Sequence, residues 1–205
     1  MDPVVVLRAV ALTVVAFVIG GIPWGVIVAR LSGGPDPRTI GSGRTGGANV
    51  MRAVGPRLAL VSGLLDMLKG TAAVLLVRFL GAGIEVEVLA GLAAIIGHSR
   101  SPFLGFSGGR GVSAAFGAAL VLAPMASAVI LLVFVVVLVV WRYTSLASLV
   151  SAAVGGVTLA VQVVVTGQPP ALLVFAIVGP LLIWLFHLDN IGRLLRGEER
   201  KFGAK

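Results

Sequence analysis

Three apolar runs follow one another almost back to back ahead of a polar tail at 187–205: residues 125–141, 146–165 and 171–186, separated only by turns at 142–145 and 166–170. Hydrocarbon of a bilayer offers no water to backbone N–H and C=O groups, so segments this apolar satisfy themselves as membrane-spanning helices. The rest of the chain agrees. Of its 205 residues 58% are hydrophobic and 12% charged, and the mean hydropathy is +1.09. Soluble domains are nearer half apolar and a quarter charged. The expected fold class is therefore an all-α integral membrane protein, one polytopic domain over residues 1–205.

Four more apolar segments precede those three. Residues 4–29 form a first span, with a kink expected at Gly20-Gly21-Ile22-Pro23, where the proline removes a donor. Its apolar run is too long for a signal peptide and lacks a small-x-small cleavage site, so it reads as retained. Residues 56–80 form a second span that carries Asp66 and Lys69 inside it. Residues 81–87 read as a turn, 88–97 as a brief apolar segment, and 114–123 as another before Pro124. Counting both brief segments gives seven transmembrane helices. Arg30, Arg38, Arg44, Arg52, Arg57, Arg100, Arg110, Arg142 and the bases of the tail then fall on one side, with only Arg8 and Arg78 near the other. The bias of bases toward the cytoplasm places the N-terminus outside and the C-terminus in the cytoplasm. It also accounts for the net charge of +8 without nucleic acid, since the bases sit in loops between spans.

Three polar intervals share the cytoplasmic side in this topology. The first, residues 36–55, carries Ser42, Asn49 and Arg52 among glycines at 41, 43, 46 and 47. Glycines let several N–H groups face one anion, and arginine adds charge and paired donors, so the interval suits a phosphate. It is equally the solvated loop that topology demands. The second pairs His98 with the turn Ser107-Gly108-Gly109-Arg110-Gly111 ahead of a helix, an anion-seat arrangement. The third offers His187, Asn190 and Arg193 at spacings of three, which a helix would place along one face. Each histidine also fits as an ordinary interfacial residue, and the basic tail as a lipid-attracting one. Asp66 and Lys69 lie one turn apart inside a span, where each charge costs at least ~2.5 kcal/mol, so they should pair or face a wet cavity.

Other chemistries fit poorly. No cysteine is present, which removes disulfides and thiolate nucleophiles, and no spacing suggests metal ligands. Gly41 to Gly46 matches GxGxxG, but no strand precedes it and no ribose-binding acid follows. Ala48 stands where a Walker A lysine belongs, and no GxSxG elbow occurs.

The intervals read GSGRTGGANVMR, GHSRSPFLGFSGGRGVSA and HLDNIGRLLRGEERK in order along the chain. They resemble the three cytoplasmic motifs of the bacterial acyl-phosphate-dependent glycerol-3-phosphate acyltransferases, the PlsY family. GIPWG in the first span and Asp66-x-x-Lys69-Gly70 in the second match as well, so the resemblance covers nearly the whole chain. It implies acyl transfer from acyl phosphate to the 1-position hydroxyl of glycerol 3-phosphate, giving lysophosphatidic acid and phosphate. It further implies a multi-pass enzyme of the bacterial cell (inner) membrane, acting as a monomer without metal or cofactor, its active site facing the cytoplasm. On that resemblance Ser42, His98, His187 and Asn190 are catalytic candidates. Arg52, Lys69, Asn49, Gly108, Gly109, Arg110, Arg193 and Lys201 are the expected phosphate-binding residues, and Glu199 falls on a motif position.

The chain departs from the family pattern at Arg44, Ala48, Arg100, Ser101 and Arg110, where asparagine, threonine, phenylalanine, proline and lysine are usual. A small transporter or flippase for an anionic solute is the rival reading, since broken helices beside a cationic pocket suit it too. No inverted repeat supports it, and the bases gather at one surface. For the proton of the attacking hydroxyl, a histidine base competes with uptake by the acceptor's own phosphate. Asp189 is the one acid near enough in sequence to orient His187. The substrate-assisted route is the expected one.

Overall fold

The computed structural model describes residues 2–203, and its regular structure is helical. The helices are α1 (Pro3–Gly21), α2 (Trp24–Leu31), α3 (Gly47–Val54), α4 (Pro56–Phe79), α5 (Ile84–Ser99), α6 (Val112–Leu122), α7 (Pro124–Trp141), α8 (Thr144–Thr166), α9 (Ala171–Phe186) and α10 (Leu188–Leu195). Among the described residues four helical stretches are long and apolar enough to cross a membrane, five if the bent pair α9–α10 is one span. The chain is an all-helical integral membrane protein. It divides into two compact units, Met1–Leu122 and Ala123–Lys205.

In the first unit the expected break at Pro23 is present. α1 ends at Gly21 and α2 restarts at Trp24, and the two together make one apolar stretch, Pro3–Leu31. The carbonyl of Ile22 sits at the break, where it accepts from the Trp24 N–H (3.1 Å) and from the Lys69 ammonium (2.7 Å). A charged donor on a carbonyl exposed by a proline keeps that oxygen satisfied where water is scarce.

Two expectations about segment length need correction. The turn read at 81–87 is largely helix, because α5 begins at Ile84 and takes Glu85 and Glu87 into its first turn. Carboxylates there meet the positive end of the helix dipole, so acids that interrupt an apolar run do not end the helix. Glu87 is also buried and accepts from Arg78 Nη2 at 2.6 Å. α5 is thus 16 residues, about 24 Å at 1.5 Å each, against the ten read from the apolar run alone. α6 stays short at 11 residues. The first polar interval is not all loop either. It contains α3, stopped by Gly55 at φ 86° immediately before Pro56 starts α4.

Small residues set the packing. A Cβ at Gly97 would overlap the Phe17 carbonyl, so α1 and α5 touch backbone to backbone; α4 and α6 meet the same way through Gly70 on Ala114 and Gly117 on Met67. Between lipid-immersed helices, where apolar burial gives little drive, such close approach supplies the van der Waals contact. Ala16, Ala73, Val77, Ala90, Ala93 and Ala94 form the buried cluster alongside.

In the second unit α7 and α8 are long and apolar enough to cross a membrane, and α7 to α9 are rich in exposed valine and leucine, as lipid-facing surfaces are. α8 starts at Thr144, inside the turn expected at 142–145. α9 ends at Phe186, and the chain bends by 64° into α10. The third motif therefore continues as helix, but in a new direction.

Candidate functional site

In the first unit Asn49 organises the first motif. Buried on α3, its amide donates to the carbonyls of Ile40 and Arg44 (2.9 Å each) and lies 3.2 Å from Ser42 Oγ. Its Oδ1 accepts from Arg52 Nη1 at 2.7 Å. One side chain thereby fixes the fold of loop 36–46 and the direction of Arg52, while Ser42 stays at the exposed rim. Arg38 is turned aside by Asp36, 2.7 Å from its Nη2.

Deeper in the unit lies a buried polar cluster. Asp66 and Lys69 pair at 2.7 Å, side chains 5% and 3% exposed, as their spacing on α4 predicts. The sequence did not reveal their third member. His98, at the end of α5, directs Nδ1 toward Asp66 Oδ1 at 3.5 Å, close enough for charge but beyond a well-made hydrogen bond. The ring's other side explains the Gly108-Gly109 pair. The Gly109 N–H donates to the His98 carbonyl (3.1 Å), a Cβ on Gly109 would overlap the imidazole, and one on Gly108 would overlap that carbonyl. The glycines thus let the second motif fold flat over His98, with half-buried Arg110 next in line.

The second unit builds its own donor set. His187, buried at the bend between α9 and α10, is bonded through Nδ1 to the Ile183 carbonyl at 2.7 Å. A carbonyl only accepts, so Nδ1 carries a proton. Asp189 pairs with Arg193 at 3.2 Å, and the Ile183 carbonyl holds the His187 ring through Nδ1. Glu199 is the centre of this cluster. Its carboxylate accepts from Asn190 Nδ2 (2.6 Å), Ser145 Oγ (2.8 Å) and Arg193 Nε (2.7 Å). Burial pushes the Glu199 carboxyl up, but the bonds from Ser145, Arg193 and Asn190, with the guanidinium's charge, outweigh it and hold it below its ordinary value. Lys201 is exposed beyond it. Ser145 had no signal in the sequence beyond its place in a turn, whereas Glu199 was visible as a motif position without a role.

Comparison with known proteins matches the family described as glycerol-3-phosphate acyltransferase across residues 10–197. The chain belongs to that family. A glycerol-3-phosphate acyltransferase of Rubrobacter xylanophilus is 41% identical over 96% of both chains. One from Parasynechococcus marenigrum is 40% identical over 98% of this chain and 93% of its own. Two crystal structures of PlsY (YgiH), an integral membrane glycerol 3-phosphate acyltransferase, match at 36% and 35% identity over 96% of each chain. The glycerol 3-phosphate form has a TM-score of 0.86 and the lysophosphatidic acid form 0.84. As an acyltransferase, the chain holds its candidate residues in three sets: Ser42 and Arg52 around Asn49, Lys69 and His98 around the buried Asp66, and Ser145, Asn190 and Arg193 around the half-buried Glu199.

Proposed function

We propose that the enzyme transfers an acyl group from acyl phosphate to the 1-hydroxyl of glycerol 3-phosphate, releasing lysophosphatidic acid and inorganic phosphate. The observation that carries this reading is the match to the glycerol 3-phosphate form of PlsY over nearly the whole chain. In the reaction the hydroxyl oxygen bonds to the acyl carbon while the bond from that carbon to the phosphate oxygen breaks with its electron pair. Phosphate leaves, and the hydroxyl proton passes to the acceptor's own phosphate. Both reactants are anionic, which is what Arg52, Lys69, Arg110 and Arg193 supply for. Charge-assisted donors of this kind contribute roughly 1.5–3 kcal/mol each. Asn49 acts by positioning Arg52 rather than by touching substrate, since its amide donors are spent on loop carbonyls.

The purified protein in lipid, given acyl phosphate and glycerol 3-phosphate, should release phosphate and form lysophosphatidic acid together. Arg52→Met should lower kcat/KM by at least tenfold, in line with that contribution. Phosphate release that does not depend on glycerol 3-phosphate would sink the assignment. For the proton route, His187→Gln should weaken acceptor affinity and leave kcat nearly intact. A fall in kcat of ~10²–10⁴-fold would make the histidine a general base.

The membrane arrangement we propose has seven crossings, α5 and α6 included, with the N-terminus outside, the C-terminus cytoplasmic and the active site facing the cytoplasm of a bacterial inner membrane. The distribution of arginines supports it. The chain has no native cysteine, so Arg44→Cys, Ser107→Cys and Arg200→Cys each give a clean label. An impermeant thiol reagent should reach all three only from the cytoplasmic side. Labelling of any one from outside contradicts the topology.

A further inference from the structure

We infer that the loop joining α5 to α6 is a membrane-surface foot that sets Phe103 and Phe106 into the headgroup region of the bilayer beside the phosphate-binding turn. The loop is a built scaffold. Ser101 Oγ donates to the Gly21 carbonyl at the break after α1 (2.6 Å), and Ser101 and Ser107 form an antiparallel bridge. Inside that clasp the Leu104 and Phe106 N–H groups both donate to the Ser101 carbonyl, at 3.2 and 2.8 Å. Gly105 and Phe106 are left-handed, at φ 61° and 58°. Only glycine adopts that conformation freely, so holding a phenylalanine there is a local cost the surrounding bonds must impose.

The outcome of that constraint is exposure. Phe103 and Phe106 are 56% and 63% exposed, on a loop whose backbone is otherwise tied down. Two fixed, outward phenylalanines lose their burial in water and regain it in an apolar surrounding. Continuity says which surrounding. Leu89 and Ile96 lie seven residues apart on one face of α5, both exposed, and that face of the integral membrane protein runs into the loop. Charge agrees. Arg100 and Arg110 flank the loop, and no acidic residue occurs between Glu87 and Asp189. Apolar tips flanked by arginine suit an anionic lipid surface rather than free water.

Resting on the acyltransferase reading, the foot also has a use. Acyl phosphate is amphiphilic, with its chain in the bilayer and its phosphate at the surface. Gly108, Gly109 and Arg110 follow directly after the foot, so anchoring it holds the phosphate-binding turn at the depth where such a headgroup travels.

The test uses the full chain in vesicles containing anionic lipid. A nitroxide is attached at Phe103→Cys or Phe106→Cys, with Thr39→Cys in the exposed first loop as reference. Both foot positions should favour oxygen over a water-soluble nickel chelate by several-fold relative to position 39, and doxyl lipids should broaden them. Either label suffices if the other variant fails to fold. Accessibility equal to that at position 39 overturns the inference, and is also the result expected if the loop docks a soluble protein. The depth measurement needs no turnover, so it stands whether or not the acyltransferase assignment does. In the assay, Phe103→Ser/Phe106→Ser should raise KM for acyl phosphate by roughly five- to tenfold and leave KM for glycerol 3-phosphate unchanged. An equal rise in both would remove the delivery role.

Discussion

Lys69→Met is expected to abolish turnover and to lower stability by about 3–5 kcal/mol, the range for removing one member of a buried ion pair. The methionine fills the space but leaves the Asp66 carboxylate buried beside His98 alone, at 3.5 Å. It also strips the Ile22 carbonyl of its ammonium donor. Asp66→Asn/Lys69→Met is the informative companion. With both charges gone, the desolvation penalty disappears and most of the stability should return, because a buried ion pair is often no better than a neutral one. Activity should not return, since the cation is still missing. Thermal melting in detergent and phosphate release on the same samples check both halves. Wild-type melting and turnover in the single variant would show that Lys69 is neither a structural nor a catalytic cation.

Arg193→Met should cost activity ten- to a hundredfold, and Arg193→Lys should recover only part of it. The guanidinium reaches Glu199 through Nε and Asp189 through Nη1 at once, a fork that a lysine ammonium cannot reproduce. Full recovery in Arg193→Lys would mean that charge alone matters. The same clasp carries a pH signature. Because Glu199 sits below its unfolded value, the clasp stabilises the fold fully above the ordinary carboxylate range and is lost as pH falls through the folded value. Below that range the melting temperature of the native chain should fall toward that of Glu199→Gln. Curves that stay parallel into acid would show that the carboxylate contributes nothing as a charge.

The long apolar helices, the break at Pro23 and the pairing of Asp66 with Lys69 were legible in the sequence, because each rests on local physics. A missing proline N–H and a one-turn spacing are read within a few residues. What the sequence hid was of three kinds. Helix starts that tolerate charge, as at Glu85 and Glu87, break an apolar run without breaking a helix. Partners far apart along the chain carry no local mark, so Asp66 with His98 and Glu199 with Ser145 came only with the fold. α3 escaped for a third reason: at 8 residues between glycines, nothing but its tertiary contacts holds it helical.

The contact of Gly97 with the Phe17 carbonyl bears on how the molecule is made. α1 is synthesised ahead of its backbone-to-backbone partner α5, with α2, α3 and α4 made in between. During that interval α1 has no permanent neighbour on its small-residue face. Lys69 is better served, since Asp66 and the Ile22 carbonyl both precede it from the ribosome. The charged helix can therefore be neutralised on arrival, whereas the packing of α1 waits for α5. A pause in translation after α4 should accordingly leave an inserted chain whose α1 is still exchangeable, and release of α5 should be the step that locks it.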